Sequence, residues 1–508
     1  MRASTILGLG LFSFAALGCE SEIDHLTKNP EIVKPEPEKP EPEKPEPDPE
    51  PDPNDKKPYE PSKMNILFIA VDDLRPELNC YGRTHMYTPN IDALSRRSVQ
   101  FSNAYSNISV SGANRSCLIT GYYPTRTRFK GFDTRADRDM PNALTIQKHL
   151  RNNGYEAFSY GKISHNQNDF ASDWTESPKR FSSAAGVKTY QAAENLKYNN
   201  SKGKKPGYDA GDVSDEAYLD GATTTAAVAK IAELAQSDKP FFFGVGMTKP
   251  HLPFCAPKQY WDLYEGKVKL PRNPEFPSNA PLAVNHNSGE IHANYFSTNV
   301  PLYESLPDEE TLAFRHGYYA CVSYTDANVG RILEALEQNG LSDNTIVILW
   351  GDHGWSLGNH TFWAKHTTFD NALRVPFIVH VPGLNEGIKT DSYMVTADIY
   401  PTICDLIGIE KPAHLQGESL LPALREPQKK HKDVAICRYQ KYEAIIKGGF
   451  AYTQVLQNFN GGIYSVVAEM MYDHSVDPLE TNNIAATSPL KASELKSELS
   501  KAIEKYNR

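Results

Sequence analysis

Asn65-Ile66-Leu67-Phe68-Ile69-Ala70-Val71-Asp72-Asp73 and Thr345-Ile346-Val347-Ile348-Leu349-Trp350-Gly351-Asp352-His353 decide the fold. Each is a run of β-branched, aliphatic and aromatic residues that stops in acidic or imidazole side chains. Unbroken apolar runs of this length fit central strands of a parallel sheet, covered on both faces. Sheets of that kind carry their chemistry beyond the carboxyl ends of the strands. Two strand ends far apart in sequence can therefore share one metal. Asp72, Asp73, Asp352 and His353 offer three carboxylates and an imidazole, a set suited to a hard divalent cation, calcium first, with magnesium or zinc as alternatives.

Working outward, strand and helix signals alternate. Glu156–Tyr160, Pro240–Val245 and Val375–Val381 read as further strands. A helix is expected near 142–152, and a longer one from about Pro307 to Asn339 that turns Val322, Val329, Ile332 and Leu336 to the sheet. The alternation predicts an α/β, doubly wound domain over 63–430. From 431 to 508 the texture changes to short strand runs such as Ala444-Ile445-Ile446 and Ala451–Val455. These predict a smaller C-terminal α+β subdomain with an antiparallel sheet, closed by a last helix near 492–506.

Residues 1–19 read as an export signal: Arg2 is followed by an apolar stretch, Ile6–Leu17, too short to span a bilayer. Leu17-Gly18-Cys19 resembles a bacterial lipoprotein cleavage site, which would make Cys19 the acylated N-terminus of an exported lipoprotein in the periplasm or on the outer-membrane surface. Residues 20–62 form a Pro/Glu-rich tether, extended and solvated. Residues 20–61 hold fourteen acidic and six basic side chains, net −8 of the chain's −10; Arg2 adds +1, leaving −3 to residues 62–508. The acidity belongs to the tether. The body is near neutral, and no basic run suggests a nucleic-acid face. Besides Cys19, six cysteines lie scattered without Cys-x-x-Cys spacing. Most of them read as buried free thiols.

Between the two metal-binding strand ends lies Ser111-Gly112-Ala113-Asn114-Arg115, then Leu118-Ile119-Thr120-Gly121. This stretch resembles the type I sulfatases, which carry Cys or Ser, any residue, Pro or Ala, any residue, then Arg, followed by Leu-x-Thr-Gly. The resemblance extends from Asn65 through Tyr472-Asp473-His474 and Asp477-Pro478-Leu479-Glu480-Thr481-Asn482-Asn483, a last stretch that resembles the family's C-terminal signature. The segments Val71–Pro76, Lys249–Phe254 and Gly351–Gly358 look most like iduronate-2-sulfatases, with His353 where many sulfatases have asparagine. The resemblance implies an alkaline-phosphatase-like fold with a mixed, mostly parallel sheet. It implies hydrolysis of a sulfate ester of a sulfated polysaccharide or oligosaccharide, through a formylglycine made from Ser111.

Residue by residue, Arg115 would hold the formylglycine hydrate, and Asp72, Asp73, Asp352 and His353, with Ser111 beside them, would bind calcium. Lys162, His165, His251 and Lys365 would contact sulfate or hydrate, one histidine donating the proton to the leaving alcohol. Asp133, Arg135, Trp355 and His360 are candidate sugar contacts. The chemistry agrees, since a sulfate monoester is anion-shielded and its cleavage needs concentrated positive charge.

Ala113-Asn114 stands where Pro-Ser is commoner, and Ser111 where cysteine is commoner. A serine implies maturation by an anaerobic sulfatase-maturing enzyme. Two rival readings are a phosphoesterase of the same superfamily using unmodified Ser111, and an inactive glycan-binding surface lipoprotein. The first needs a second metal, and no Asp-x-x-x-His follows at Asp398.

Overall fold

The computed structural model describes Tyr59, Pro61 and residues 64–295, 303–363, 365–384, 386–459 and 463–507. Cys19, the expected export signal and most of the expected tether lie outside the described residues. Strands β1 (Asn65–Val71), β2 (Val99–Tyr105), β3 (Glu156–Gly161), β4 (Phe241–Met247), β5 (Thr345–Gly351), β6 (Phe377–His380) and β7 (Ile388–Val395) form one sheet in the order β3-β4-β1-β5-β6-β2-β7. β1 is central and parallel to both neighbours, Ile69 facing Val245 on one side and Leu349 on the other. β6 runs antiparallel to β5 and β2. Its expected length, from Val375, is cut because Pro376 has no N–H to donate to a ladder.

The helices used below are α1 (Pro89–Arg96), α2 (Ser111–Thr120), α3 (Ile146–Asn152), α4 (Leu219–Leu234), α5 (Asp308–Gln338), α6 (Ile399–Ile407) and α7 (Pro489–Tyr506). Alternate residues of β1 serve opposite faces. Leu67, Ile69 and Val71 pack with α1, α4 and α5, whereas Ile66, Phe68 and Ala70 pack with α2, α3 and α6. All six are at most 1% exposed. Each buried aliphatic side chain here contributes about 2 kcal/mol, so after Asn65, whose amide accepts from the Phe241 N–H and donates to Asn344, β1 has no position that tolerates a polar residue. Doubly wound packing thus follows from an apolar run with no polar face. α5 starts after Pro307 with Asp308, Glu309 and Glu310 in its first turn, where the helix dipole favours acids.

Strands β8 (Val434–Tyr439), β9 (Tyr442–Lys447), β10 (Phe450–Phe459) and β11 (Ile463–Asp473) form an antiparallel meander. α7 lays Ala492, Leu495 and Leu499 on it, and the shared apolar cluster continues into Tyr105, Tyr393 and Val395 of the main sheet. The Tyr123 and Tyr506 rings stack, centroids 3.8 Å apart and 4° from parallel, tying α7 to the larger part of the fold. Cys80, Cys117, Cys255, Cys321, Cys404 and Cys437 are free, and all but Cys80 are buried. Among the described residues, no helix is long and apolar enough to cross a membrane.

Candidate active site

The ends of β1 and β5, paired in parallel as Val71 with Gly351, deliver Asp72, Asp73, Asp352 and His353 to one point. One ligand atom from each lies within 4.8 Å of all the others. Asp73 takes φ 56°, a left-handed conformation that non-glycine residues rarely adopt and that collects at functional sites. Two bonds hold it there: its N–H donates to Asp352 Oδ1 (3.0 Å), and Tyr318 on α5 donates its hydroxyl to the Asp73 carbonyl (2.8 Å).

α2 begins at Ser111, whose Oγ lies 2.9 Å from Asp72 Oδ1 and 2.9 Å from His353 Nε2. The next residue must be glycine. A Cβ on Gly112 would stand 2.0 Å from the Phe132 carbonyl oxygen, because the 131–133 loop lies directly on this first turn. One turn on, Arg115 donates Nε to Asp352 Oδ2 (2.8 Å) and approaches Asp72 Oδ1 at 3.4 Å, and its Nη1 donates to the carbonyls of Lys162 and Ile163. The Lys162 ammonium pairs with Asp72 Oδ2.

Burial opposes the charge on both carboxylates of the first pair, with opposite outcomes. Lys162, His251 and Arg115 outweigh burial at Asp72 and hold it well below the usual carboxylate range. At Asp73, burial and the neighbouring charges of Asp72, Glu290 and Asp352 prevail over Lys365 and push it well above. Asp73 Oδ1 is buried and accepts no hydrogen bond. A carboxylate oxygen left unpartnered beside two more carboxylates and an imidazole fits a divalent cation with oxygen and nitrogen ligands.

Beside this cluster opens a cavity of about 360 Å³, walled by Ser111, His165, His251, Glu290, Lys365 and Phe132, with His366. Lys365 reaches Asp73 Oδ2 (3.1 Å) and Glu290 Oε2 (3.2 Å). His251 sets Nε2 3.9 Å from Asp73 and 3.5 Å from Glu290, and its Nδ1 lies 2.6 Å from the Leu252 carbonyl, so the neutral ring carries its proton on Nδ1. Its loop is clamped by Asp220 of α4, which accepts from the N–H groups of Thr248 (2.9 Å) and Lys249 (2.7 Å). Burial, then the Lys365 charge, pushes His251 down to about 3. Burial and Lys162 do the same to His165, also about 3, and its Nδ1 has no partner.

The proposed catalytic side chains Ser111, Arg115, Lys162, His165, His251 and Lys365 thus converge. The candidate sugar contacts do not. Trp355 is fully buried; its ring lies under the Lys365 ammonium (4.8 Å) and packs edge-on to Phe254, so it supports the site from within the core. His360 is also fully buried, with Nε2 2.8 Å from the Leu479 carbonyl and 2.9 Å from Asn273 Nδ2, and it stitches the C-terminal loop to the body. Both expectations are corrected: neither side chain can reach a sugar. Asp133 is exposed on the loop beside Phe132, outside the cavity wall, and Arg135 is tied down by Asp137 (Nε to Oδ1, 2.9 Å). Sequence reading passed over Phe132, 66% exposed at the cavity mouth, and Glu290 and His366 in its wall. Glu290 sits in the short helix Gly289–Asn294, outside any strand-end motif, and only the tertiary fold brings it to Lys365.

Residues 64–409 match the family model described as Sulfatase, and residues 358–508 match that of the C-terminal region of N-sulphoglucosamine sulphohydrolase. The chain belongs to the sulfatase family. Human iduronate 2-sulfatase is 34% identical over 387 residues, covering 69% of this chain and 70% of that protein. Among solved structures, a protein in complex with its substrate D-glucosamine-2-N,6-O-disulfate superposes with a TM-score of 0.66 at 20% identity, over 88% of this chain and 98% of that one. The phosphonate monoester hydrolase of Agrobacterium radiobacter gives 0.68 at 21%, over 87% and 96%. These likenesses establish the alkaline-phosphatase-like fold, with its mostly parallel central sheet and antiparallel C-terminal sheet. This sulfatase is a sulfuric ester hydrolase, and its strand-end cluster lies next to the wall that holds Ser111.

Proposed function

We propose that this sulfatase removes sulfate from a sulfated glycosaminoglycan-type polysaccharide or oligosaccharide, using calcium and a formylglycine made from Ser111 by an anaerobic maturing enzyme. The observation that carries the reading is Ser111 Oγ, held between Asp72 and His353 at the edge of a cavity walled by Lys365, His251 and His165. Asp72, Asp73, Asp352 and His353 would hold the calcium. When present, the ion supplies positive charge for the sulfate oxygens, and the hydrated aldehyde supplies an oxygen nucleophile.

The rest falls to the chain's own side chains. Arg115 and Lys162 neutralise and orient the Asp72 and Asp352 carboxylates from below. Lys365 and His165 face the cavity where the ester's anionic oxygens would lie. His251 rests neutral with Nε2 free to accept a proton; a sulfate ester's negative charge in the cavity favours its imidazolium, which then gives that proton to the leaving sugar oxygen as the O–S bond breaks. Overall, water is consumed and an alcohol and sulfate are released. The name of the 34%-identical human relative, iduronate 2-sulfatase, supports a uronate-bearing substrate.

The apolar stretch before Leu17-Gly18-Cys19 supports export and lipid anchoring at Cys19, in the periplasm or at the outer-membrane surface. A phosphoesterase would need a second metal; among the described residues one group of metal-ligating side chains is found.

The test is the mass of the peptide containing Ser111, from protein made with an anaerobic maturase. A peptide lighter by two hydrogens and reactive toward a carbonyl reagent, in protein that releases sulfate from a sulfated glycan, is the expected result. An unmodified serine in active protein would overturn the mechanism.

A further inference from the structure

A second cavity, of about 250 Å³, opens on the same edge of the sheet and plays no part in the chemistry above. Arg75, just after β1, and Arg374, just before β6, form its floor, with Arg83 and Arg272 at its rim. The floor arginines are committed: Arg75 donates to Glu77 (2.7 Å) and Asn359 (2.8 Å), and Arg374 to Asp370 (3.0 Å) and to the Tyr105 hydroxyl (3.1 Å). The rim arginines are held more loosely. Arg272 is exposed and forms no ion pair or side-chain hydrogen bond among the described residues. The Arg83 side chain is 41% exposed; its buried Nε finds no acceptor, the Glu77 carboxylate standing 3.9 Å away.

Four guanidiniums thus face two carboxylates, Glu77 and Asp370, and Glu77 is already shared among Arg75, His85 at 3.1 Å and, distantly at 3.9 Å, Arg83. The remaining positive charge sits on planar forks, the geometry that grips a tetrahedral oxyanion through paired N–H donors. Buried Trp355 touches a residue of each cavity: its carbonyl accepts from Arg75 (3.4 Å), while its ring lies under Lys365. Pro478 and Leu479, from the C-terminal segment carrying Asp477-Pro478-Leu479-Glu480, close the other wall.

We infer that this arginine cleft is an accessory subsite for a second sulfate group of the glycan chain, remote from the one being cleaved. It rests on the proposed function for the nature of the chain. A substrate with several sulfates gains affinity by filling both sites, whereas a singly sulfated fragment fills the catalytic one alone.

The experiment measures equilibrium binding of a multiply sulfated octasaccharide to full-length Ser111→Ala protein, with and without Arg83→Gln and Arg272→Gln together. Turnover of that octasaccharide and of a singly sulfated disaccharide is measured in matured protein with intact Ser111. Losing the two rim arginines should weaken octasaccharide binding about three- to tenfold and raise its KM, while disaccharide kcat and KM stay put. Binding that is unchanged, or weakened equally by neutralising the exposed Lys258 and Lys501 instead, would overturn the inference. So would loss of inorganic sulfate binding alone, which would mark the cleft as a holder of free anion. Because the binding arm needs no turnover, a wild type that releases no sulfate counts against the proposed function while the octasaccharide still decides the cleft.

Discussion

His353 Nε2 lies 2.9 Å from Ser111 Oγ, so the last residue of the metal cluster and the first residue of α2 share a hydrogen bond across 242 positions of sequence. That contact makes one unit of the strand-end cluster and Ser111, the proposed cation site and the proposed reacting side chain. Burial pushes His353 below the ordinary imidazole range, keeping it neutral and free to bind a cation or to meet Ser111.

Removing one carboxylate should therefore empty the site without unfolding the protein. Asp352→Asn is expected to lower bound calcium, measured by elemental analysis, from about one ion per chain to near none, with kcat falling at least ~100-fold. Wild type should lose thermal stability on chelation, since a ligand bound only by the folded state stabilises it, and the variant should not. Full calcium occupancy in the variant would contradict the assignment.

Asp220 offers a test of positioning at a distance from the chemistry. It accepts the Thr248 and Lys249 N–H groups and so fixes the loop that carries His251. Asp220→Ala leaves those donors buried and unpaired, at a cost of about 1–3 kcal/mol. Sulfate release should fall while calcium content stays unchanged. A calcium loss equal to that of Asp352→Asn would show that the loop supports the metal instead.

Much of this was legible in the sequence, for a physical reason. β1, β4 and β5 are buried on both faces, so their residues carry an uninterrupted apolar signal, and the strand-end rule then places Asp72, Asp73, Asp352 and His353 together. β2 and β7 were not legible: Val99–Tyr105, though paired on both sides, includes Gln100, Ser102 and Asn103, and the edge strand Ile388–Val395 includes Lys389 and Asp391, polar residues that interrupt the apolar run and mask the strand. Trp355 and His360 were misplaced because sequence gives proximity to a motif but not the direction of a side chain. Glu290 and Arg272 depend wholly on tertiary folding.

Glu77 makes stability depend on acid. Burial opposes its charge, but Arg75, with His85 and Arg83, prevails and holds the carboxyl below the usual range. A depressed folded-state value adds stability that is complete above the unfolded glutamate value of about 4.3 and is lost as pH falls below it. Glu77→Gln, which strands the buried Arg75, should cost about 3 kcal/mol at pH 7 by denaturant unfolding. The gap between wild type and variant should narrow steadily below about pH 4. A gap that does not change with pH would show that shape, not charge, sets the cost.

His474 works in the opposite sense. Its Nε2 lies 3.0 Å from Glu480 Oε1, and Glu480 Oε2 accepts the N–H of Asp370, so the pair locks the C-terminal signature loop to the element before β6. Burial opposes the imidazolium, but Glu480 overcomes it and raises His474 above the ordinary value. Stability from a raised folded-state pKa is fully present below the unfolded histidine value of about 6.5 and is lost as pH climbs through the folded one. His474→Gln should therefore cost about 1–2 kcal/mol at pH 6 and clearly less at pH 9. Equal costs at both pH values would mean that the ring is held neutral and that its bond to Glu480 carries no charge.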